Sequence, residues 1–274
     1  MSLRGKIEFA QLTDTGRVRD HNEDAIGTNA DIGLMVLADG MGGYNAGEVA
    51  SGIAVQIVTD LATEAAMRED RADVDPHSGL MRQSIILRDA IYRANKIIYQ
   101  TAQSQTHCEG MGTTIVACMF FDNRVSVAHV GDSRAYRVRG GALDQITLDH
   151  SLLQELVDRG FYSAEEAQRS TNRNYVTRAL GVEPTVEVEV HEHEVLPEDV
   201  YLLCSDGLPD MVEDEDIHLT IKTFNASLDV VSQQLVELAN THGGRDNVSV
   251  MLAQVLEPFA AKQNLFVKIA GWFR

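Results

Sequence analysis

Leu34–Gly43, LMVLADGMGG, sets the pattern from which the rest of the chain is read. An unbroken apolar run suits a strand covered on both faces, and such a strand carries Asp39 out of the core at its end. Gly40, Gly42 and Gly43 then leave the backbone bare, so a ligand can approach a carbonyl or amide directly. A lone Asp-Gly fits a hairpin turn equally well, so the weight rests on repetition. The chain repeats the arrangement. The apolar run Val200–Cys204 ends in Ser205-Asp206-Gly207, and Arg245-Asp246-Asn247 leads into the apolar run Val248–Val255. Three aspartates therefore stand at expected strand mouths.

Around these mouths the periods alternate between strand and helix. Lys6–Thr13 suits a first strand, followed by the polar stretch Asp14–Asp24. Val49, Ile53, Ile57 and Leu61 recur every four residues, as do Leu87, Ile91 and Ala94 with Ile98, so two amphipathic helices are expected. Thr113–Phe121 and Val125–Val130 flank the turn-like Asp122-Asn123 and predict a hairpin. Ala135–Val138 and Ala142–Thr147 extend it to a meander, with turns at Gly131-Asp132 and Gly140-Gly141. Asp149–Arg159 looks helical, Gly160–Gly181 suits a surface flap, and Thr185–Val190 alternates like a half-exposed strand. Leu228, Val231, Leu235 and Leu238 mark a last helix, ending near Gly243-Gly244. No internal repeat or linker divides these elements, and they most economically form one layered α+β domain.

Composition narrows the function. The 274 residues carry a formal charge of -18, which repels phosphate backbones and argues against nucleic acid as a partner. Cys108, Cys118 and Cys204 lack paired zinc spacing and read as reduced core residues, which together with the absence of a signal-peptide pattern points to the cytoplasm. No apolar run approaches the roughly 20 residues needed to span a bilayer.

Asp39, Asp206 and Asp246, with Glu23 and Asp24 nearby in the pattern, are carboxylates that resist joint ionisation unless a cation joins them. An all-oxygen donor set without His or Cys favours Mg²⁺ or Mn²⁺ over zinc. Two such ions about 4 Å apart can activate a water for in-line attack on phosphorus. Arginine is the natural phosphate clamp.

At this point the residues carry a resemblance. Arg19-Asp20-His21-Asn22-Glu23-Asp24, Asp39-Gly40-Met41-Gly42-Gly43, Gly131-Asp132-Ser133-Arg134, Ser205-Asp206-Gly207 and Arg245-Asp246-Asn247 stand in the order of the motifs of the 2C-type, metal-dependent protein serine/threonine phosphatases in their bacterial form. Each motif is weak alone; the ordered set is specific, and it spans Lys6–Val255. The resemblance implies a four-layer α-β-β-α sandwich of two antiparallel sheets flanked by helices, with a binuclear metal centre. It makes Asp39 the bridging ligand, Asp206 and Asp246 ligands of one metal, and Glu23 with the Gly40 carbonyl ligands of the other. Asp24 orients the attacking water, and Arg19 binds the substrate phosphate. Asp132 and Asp210, with Asp206, match a third, weaker metal site. The implied partners are phosphorylated proteins, targets of a Hanks-type kinase, and the chain is expected to act as a monomer. Residues 1–256 form the expected catalytic domain.

Met41 departs from many eukaryotic relatives, which carry a histidine there proposed to protonate the leaving oxygen. Methionine cannot do so, which shifts that task to solvent held by the metals, with His21 as the side-chain alternative. Arg134 reads as a structural ion-pair partner, His150 as a capping or packing residue, and His191 and His193 as one exposed strand face. Two other functions compete: a phosphoprotein-binding module without hydrolysis, whose signature of missing ligands is absent, and a hydrolase of small phosphoesters. The remaining segment, 257–274, is an expected amphipathic tail in which Leu265, Phe266, Ile269, Trp272 and Phe273 share a face bordered by Lys262, Lys268 and Arg274. It suits packing on the domain, a partner groove or a membrane surface, and the acidic body weighs against the last.

Overall fold

Continuous apolar strands need cover on both sides, and the chain supplies it with two sheets stacked face to face and helices outside each. The computed structural model describes residues 2–43, 46–68, 74–163, 166 and 175–260. One sheet has the order β1 (Ile7–Asp14), β11 (Val248–Val255), β10 (Val200–Cys204), β7 (Arg134–Arg139), β8 (Ala142–Gln145). The other runs β2 (Asp24–Asn29), β3 (Leu34–Met41), β5 (Ile115–Phe121), β6 (Arg124–Val130), β9 (Glu189–Glu194), with the short β4 (Gly112–Thr113) paired to the end of β3. All these named pairings are antiparallel.

Alternation along each central strand divides the core in three. On β3, Met35 and Leu37 point between the sheets, where they meet Phe120, Tyr201, Leu203 and Met251. Leu34, Val36 and Ala38 point the other way, onto α1 (Ala46–Arg68) and α2 (Arg82–Ser104). On the first sheet, Leu202, Val250 and Leu252 face α4 (Asp214–Thr223) and α5 (Leu228–Thr241). Each such aliphatic side chain contributes about 1.5–3 kcal/mol of burial. The four-layer α-β-β-α order expected from the resemblance is the order found, with a short α3 (Leu152–Asp158) and a 3-10 turn at Thr106–Cys108 besides.

Several local expectations differ. The fully buried stripe of α1 is Ala46, Ala50, Ala54, Val58 and Ala62, while Val49 is exposed. Small residues let the helix lie close on the sheet, and the larger Ile53, Ile57 and Leu61 close its flank. The expected meander is broken: β6 and β7 belong to different sheets, so Gly131-Asp132-Ser133 is a crossing between layers. Asp122-Asn123 (φ 43° and 55°) and Gly140-Gly141 (φ 58° and 84°) do make tight hairpins. The strand expected at Thr185–Val190 forms later, as β9, where His191 and His193 are half-buried rather than exposed. The helix α4 has one buried turn pair, Ile217 and Ile221, too little periodicity to stand out in the sequence. Phe259, inside the expected tail, is buried against Phe120. Residues 164–165 and 167–174 of the flap, and the tail from 261 on, lie outside the described residues.

Candidate metal centre

The strand mouths converge. Asp24 opens β2 and lies directly across from Asp39 on β3, so two carboxylates face each other at one end of the sandwich. The first sheet adds Asp206, just past β10, and Asp246, just before β11. After α5 the chain reverses at Gly243 (φ 137°) and Gly244 (φ 49°), which turns Asp246 into the same cleft. Asp39 is held at its backbone: its N–H donates to Thr114 Oγ1 (3.1 Å), and its carbonyl accepts from Thr114 N (2.9 Å) and Thr113 Oγ1 (2.8 Å).

Burial and mutual repulsion push the acids up. Burial first, then Asp24, lifts Asp39 well above the usual carboxylate range. Burial first, then Asp132 and Asp210, does the same to Asp206. Asp24 is raised by burial to about 6, although its Oδ2 accepts hydrogen bonds from Ser205 Oγ (2.8 Å) and Ser249 Oγ (2.6 Å). Asp132 is likewise raised to about 6, by burial and by Asp149. Asp24 Oδ1 and Asp206 Oδ1 are buried without a hydrogen-bond partner. Orphaned anionic oxygens in this density fit hard divalent cations and little else.

Glu23 and Gly40 meet at a second corner. Gly40 N–H donates to the Glu23 carbonyl (3.1 Å), and a Cβ on Gly40 would fall 2.2 Å from the Gly47 carbonyl oxygen. Asn247 keeps the Thr15–Glu23 loop in place: its Oδ1 accepts from Glu23 N (2.8 Å), and its Nδ2 donates to Thr15 O (3.0 Å) and His21 O (2.8 Å). That loop carries Arg19, whose half-exposed guanidinium pairs with Asp246 Oδ2 at 2.6 Å. The hydrogen bond to Asp246 raises the arginine pKa. Glu23, Asp24, Asp39, Gly40, Asp206, Asp246 and Arg19 thus share one cleft, and Asp132 and Asp210 adjoin Asp206 electrostatically. His21 is exposed, and its interactions above are made by its backbone.

The supporting residues were missed by motif reading. Thr114, Ser249 and Gly47 sit in ordinary strand and helix patterns, and only their contacts mark them. Ser205 and Asn247 lie inside recognised motifs, but no sequence signal gave them roles. Arg134 is the ion-pair residue expected, binding Asp149 through Nε (3.0 Å) and Nη2 (2.7 Å).

Residues 15–254 match the family model described as Protein phosphatase 2C. The chain is 39% identical over 248 residues to the serine/threonine phosphatase stp of Listeria monocytogenes, covering 88% of this chain and 93% of that one. It is 38% identical over 254 residues to the serine/threonine protein phosphatase PstP of Mycobacterium tuberculosis, covering 92% of this chain and 45% of the relative. A crystal structure of the PstP catalytic domain in complex with two manganese ions superposes with a TM-score of 0.79 at 37% identity, covering 92% of this chain and 99% of that one.

Proposed function

We infer how the residues divide the work from one premise: this chain belongs to the protein phosphatase 2C family and is a metal-dependent protein serine/threonine phosphatase with a binuclear centre. The observation that carries the residue assignment is the convergence of Asp24, Asp39, Asp206 and Asp246, two of them with bare buried oxygens. Asp39 would be the ligand shared by the two ions, Asp206 and Asp246 would hold one, and Glu23 with the Gly40 carbonyl would hold the other. When bound, two divalent cations supply Lewis acidity that neutralises the cluster, polarises the phosphoryl group and lowers the pKa of water into the useful range. Mn²⁺ fits this oxygen set, and Mg²⁺ fits it equally by chemistry.

Asp24 orients the nucleophile. Two serines hold its Oδ2, and its buried Oδ1, which has no hydrogen-bond partner, is left to accept a hydrogen bond from the attacking water. Arg19 offers the substrate phosphate the N–H groups of its fork that do not bind Asp246, and its place on the rim suits a phosphate arriving from outside. Met41 has no proton to give, so the departing serine or threonine oxygen takes its proton from solvent. Asp132 and Asp210, beside Asp206, form a third and weaker cation site.

The substrates we propose are phosphoproteins made by a Hanks-type kinase, acted on by a monomer in the cytoplasm. In support, Cys108, Cys118 and Cys204 are free and buried, and no helix among the described residues is long and apolar enough to cross a membrane. Phosphate release from a phosphothreonine peptide, followed with and without Mn²⁺, tests the reading. Wild type should turn over only with the metal, and Asp39→Ala should fall to background; chelator-resistant turnover, or an active Asp39→Ala, would refute it.

A further inference from the structure

A buried histidine pair takes no part in the chemistry above. His129 and His150 stack with ring centroids 4.6 Å apart and planes 17° from parallel. With Glu189 they bring ligand atoms within 4.8 Å of one another, a composition that could suit a cation. Proton placement argues against one. His129 Nε2 lies 2.8 Å from the Leu148 carbonyl oxygen, which only accepts, so that nitrogen carries the proton. The Gly131 N–H donates to His150 Nδ1 at 3.1 Å, so Nδ1 is bare, and the proton sits on Nε2, which donates to Glu189 Oε2 at 3.0 Å. A metal at His150 Nε2 would have to displace that proton while Nδ1 still accepted from an amide. Arg178 Nη1, 3.2 Å from the same nitrogen, adds a competing cation.

We propose that His150 is a positioning residue for the metal centre. Oriented by Glu189, it fixes the Gly131 amide and, through it, the crossing turn that presents Asp132 and packs Thr114 beneath Asp39. The grip is double, because the His150 N–H also donates to the Gly131 carbonyl at 3.0 Å. Gly131 has φ +107°, and a Cβ there would lie 2.7 Å from the Thr114 Cβ, so the turn rests directly on Thr114. Thr114 Oγ1 accepts from Asp39 N and shares a 2.7 Å hydrogen bond with Ser133 Oγ. Every step from Glu189 to Asp39 is therefore a hydrogen bond or a close contact, with no slack to absorb a displacement. The base of the 160–181 segment joins the same residue, since the His150 carbonyl accepts from Thr177 N at 2.8 Å. Thr177 and the metal centre are thereby tied to one residue, the first through the His150 backbone and the second through its imidazole. The inference rests on the reading of Asp39 and Asp132 as ligands.

Side-chain shape separates positioning from packing. Asparagine can place Oδ1 where His150 Nδ1 stands and keep the Gly131 bond; glutamine reaches Glu189 instead and loses it. The measurements are Gly131 amide hydrogen exchange and a calorimetric Mn²⁺ isotherm on the full chain, with kcat at saturating Mn²⁺. His150→Asn should resemble wild type. His150→Gln and His150→Ala should lose Gly131 protection and weaken Mn²⁺ binding about tenfold, the usual scale for removing a ligand's support, while kcat at saturation changes about threefold or less. Unaltered Gly131 protection in a folded His150→Ala or His150→Gln would overturn the proposal, as would lost protection with an unchanged isotherm. An Asn variant as impaired as Gln would overturn it too, by making the role one of ring packing. Asp132→Asn runs alongside: if it leaves the isotherm unchanged while His150→Gln weakens it, the assignment of Asp132 fails and the positioning acts through Thr114 and Asp39.

Discussion

Gly47, the second residue of α1, shows how narrowly the centre is built. A Cβ there would lie 2.7 Å from Glu23 Oε1 and 2.8 Å from the Gly40 carbonyl carbon, so one methyl group would press on two proposed ligands at once. Helix propensity alone favours alanine at such a position by roughly 1 kcal/mol. The contact with the Gly40 backbone outweighs that gain, so Gly47→Ala is expected to lower the melting temperature of the metal-free protein and to raise the Mn²⁺ concentration for half-maximal activity about tenfold. Thermal melts in chelator and a Mn²⁺ titration of turnover check both halves, and a variant with normal Mn²⁺ dependence would remove Gly47 from the account of the site.

Elements carry the next level of constraint. The alanine stripe of α1 exists because β3 and β2 lie close beneath it, so Ala50→Leu should overpack the interface and cost about 1–3 kcal/mol, read from urea denaturation. Val49, one position away and exposed, should accept alanine with a change within about 0.5 kcal/mol. The helix was legible from its four-residue period, yet its inward face was not, because periodicity locates large side chains and this contact is made by small ones. Strand mouths were legible for the opposite reason: a doubly covered strand must be apolar throughout, so Asp39 and Asp206 interrupt an otherwise uniform text. What stayed hidden was partnership across distance. Nothing in the run Val248–Val255 marks Ser249 as the residue whose hydroxyl donates to Asp24, and nothing around Gly131 says that the chain changes sheets there. A turn and a crossing can share the same glycine and aspartate.

At the scale of the whole molecule, the acid cluster makes stability depend on pH and metal together. In chelator, Asp24 and Asp132 have folded-state values near 6, and Asp39 and Asp206 are also raised above the unfolded value. The folded state therefore binds more protons than the unfolded chain, and stability should rise as pH falls from 8 through the raised values. His129 acts in the opposite sense. Burial holds it near 4, below its unfolded value, so stability is lost as pH falls between about 6.5 and 4, by up to roughly 3 kcal/mol. Four raised acids outweigh this one imidazole, so the metal-free protein should melt at a higher temperature at pH 5 than at pH 8. Saturating Mn²⁺ should raise the melting temperature at pH 8 and flatten or reverse the trend, because ligands must be deprotonated to bind. Scanning calorimetry across pH 5–8 with and without Mn²⁺ decides this; a metal-free protein whose stability falls steadily from pH 8 to 6 would contradict the raised acids.

The pairing of β1 with β11, Ile7 opposite Val255, adds a consequence for the order of synthesis. Among the described strands β1 is hydrogen-bonded to β11 alone, so it has no place in its sheet until β11 arrives, and Asp246, just before β11, takes up its position in the cleft with it. Contacts this distant in sequence slow folding. They also mean that a nascent chain stopped before Val248 has made Glu23, Asp24, Asp39, Asp206 and Asp246 but lacks the strand that follows Asp246 and joins β1 to β10, so the proposed site is complete only once β11 is made.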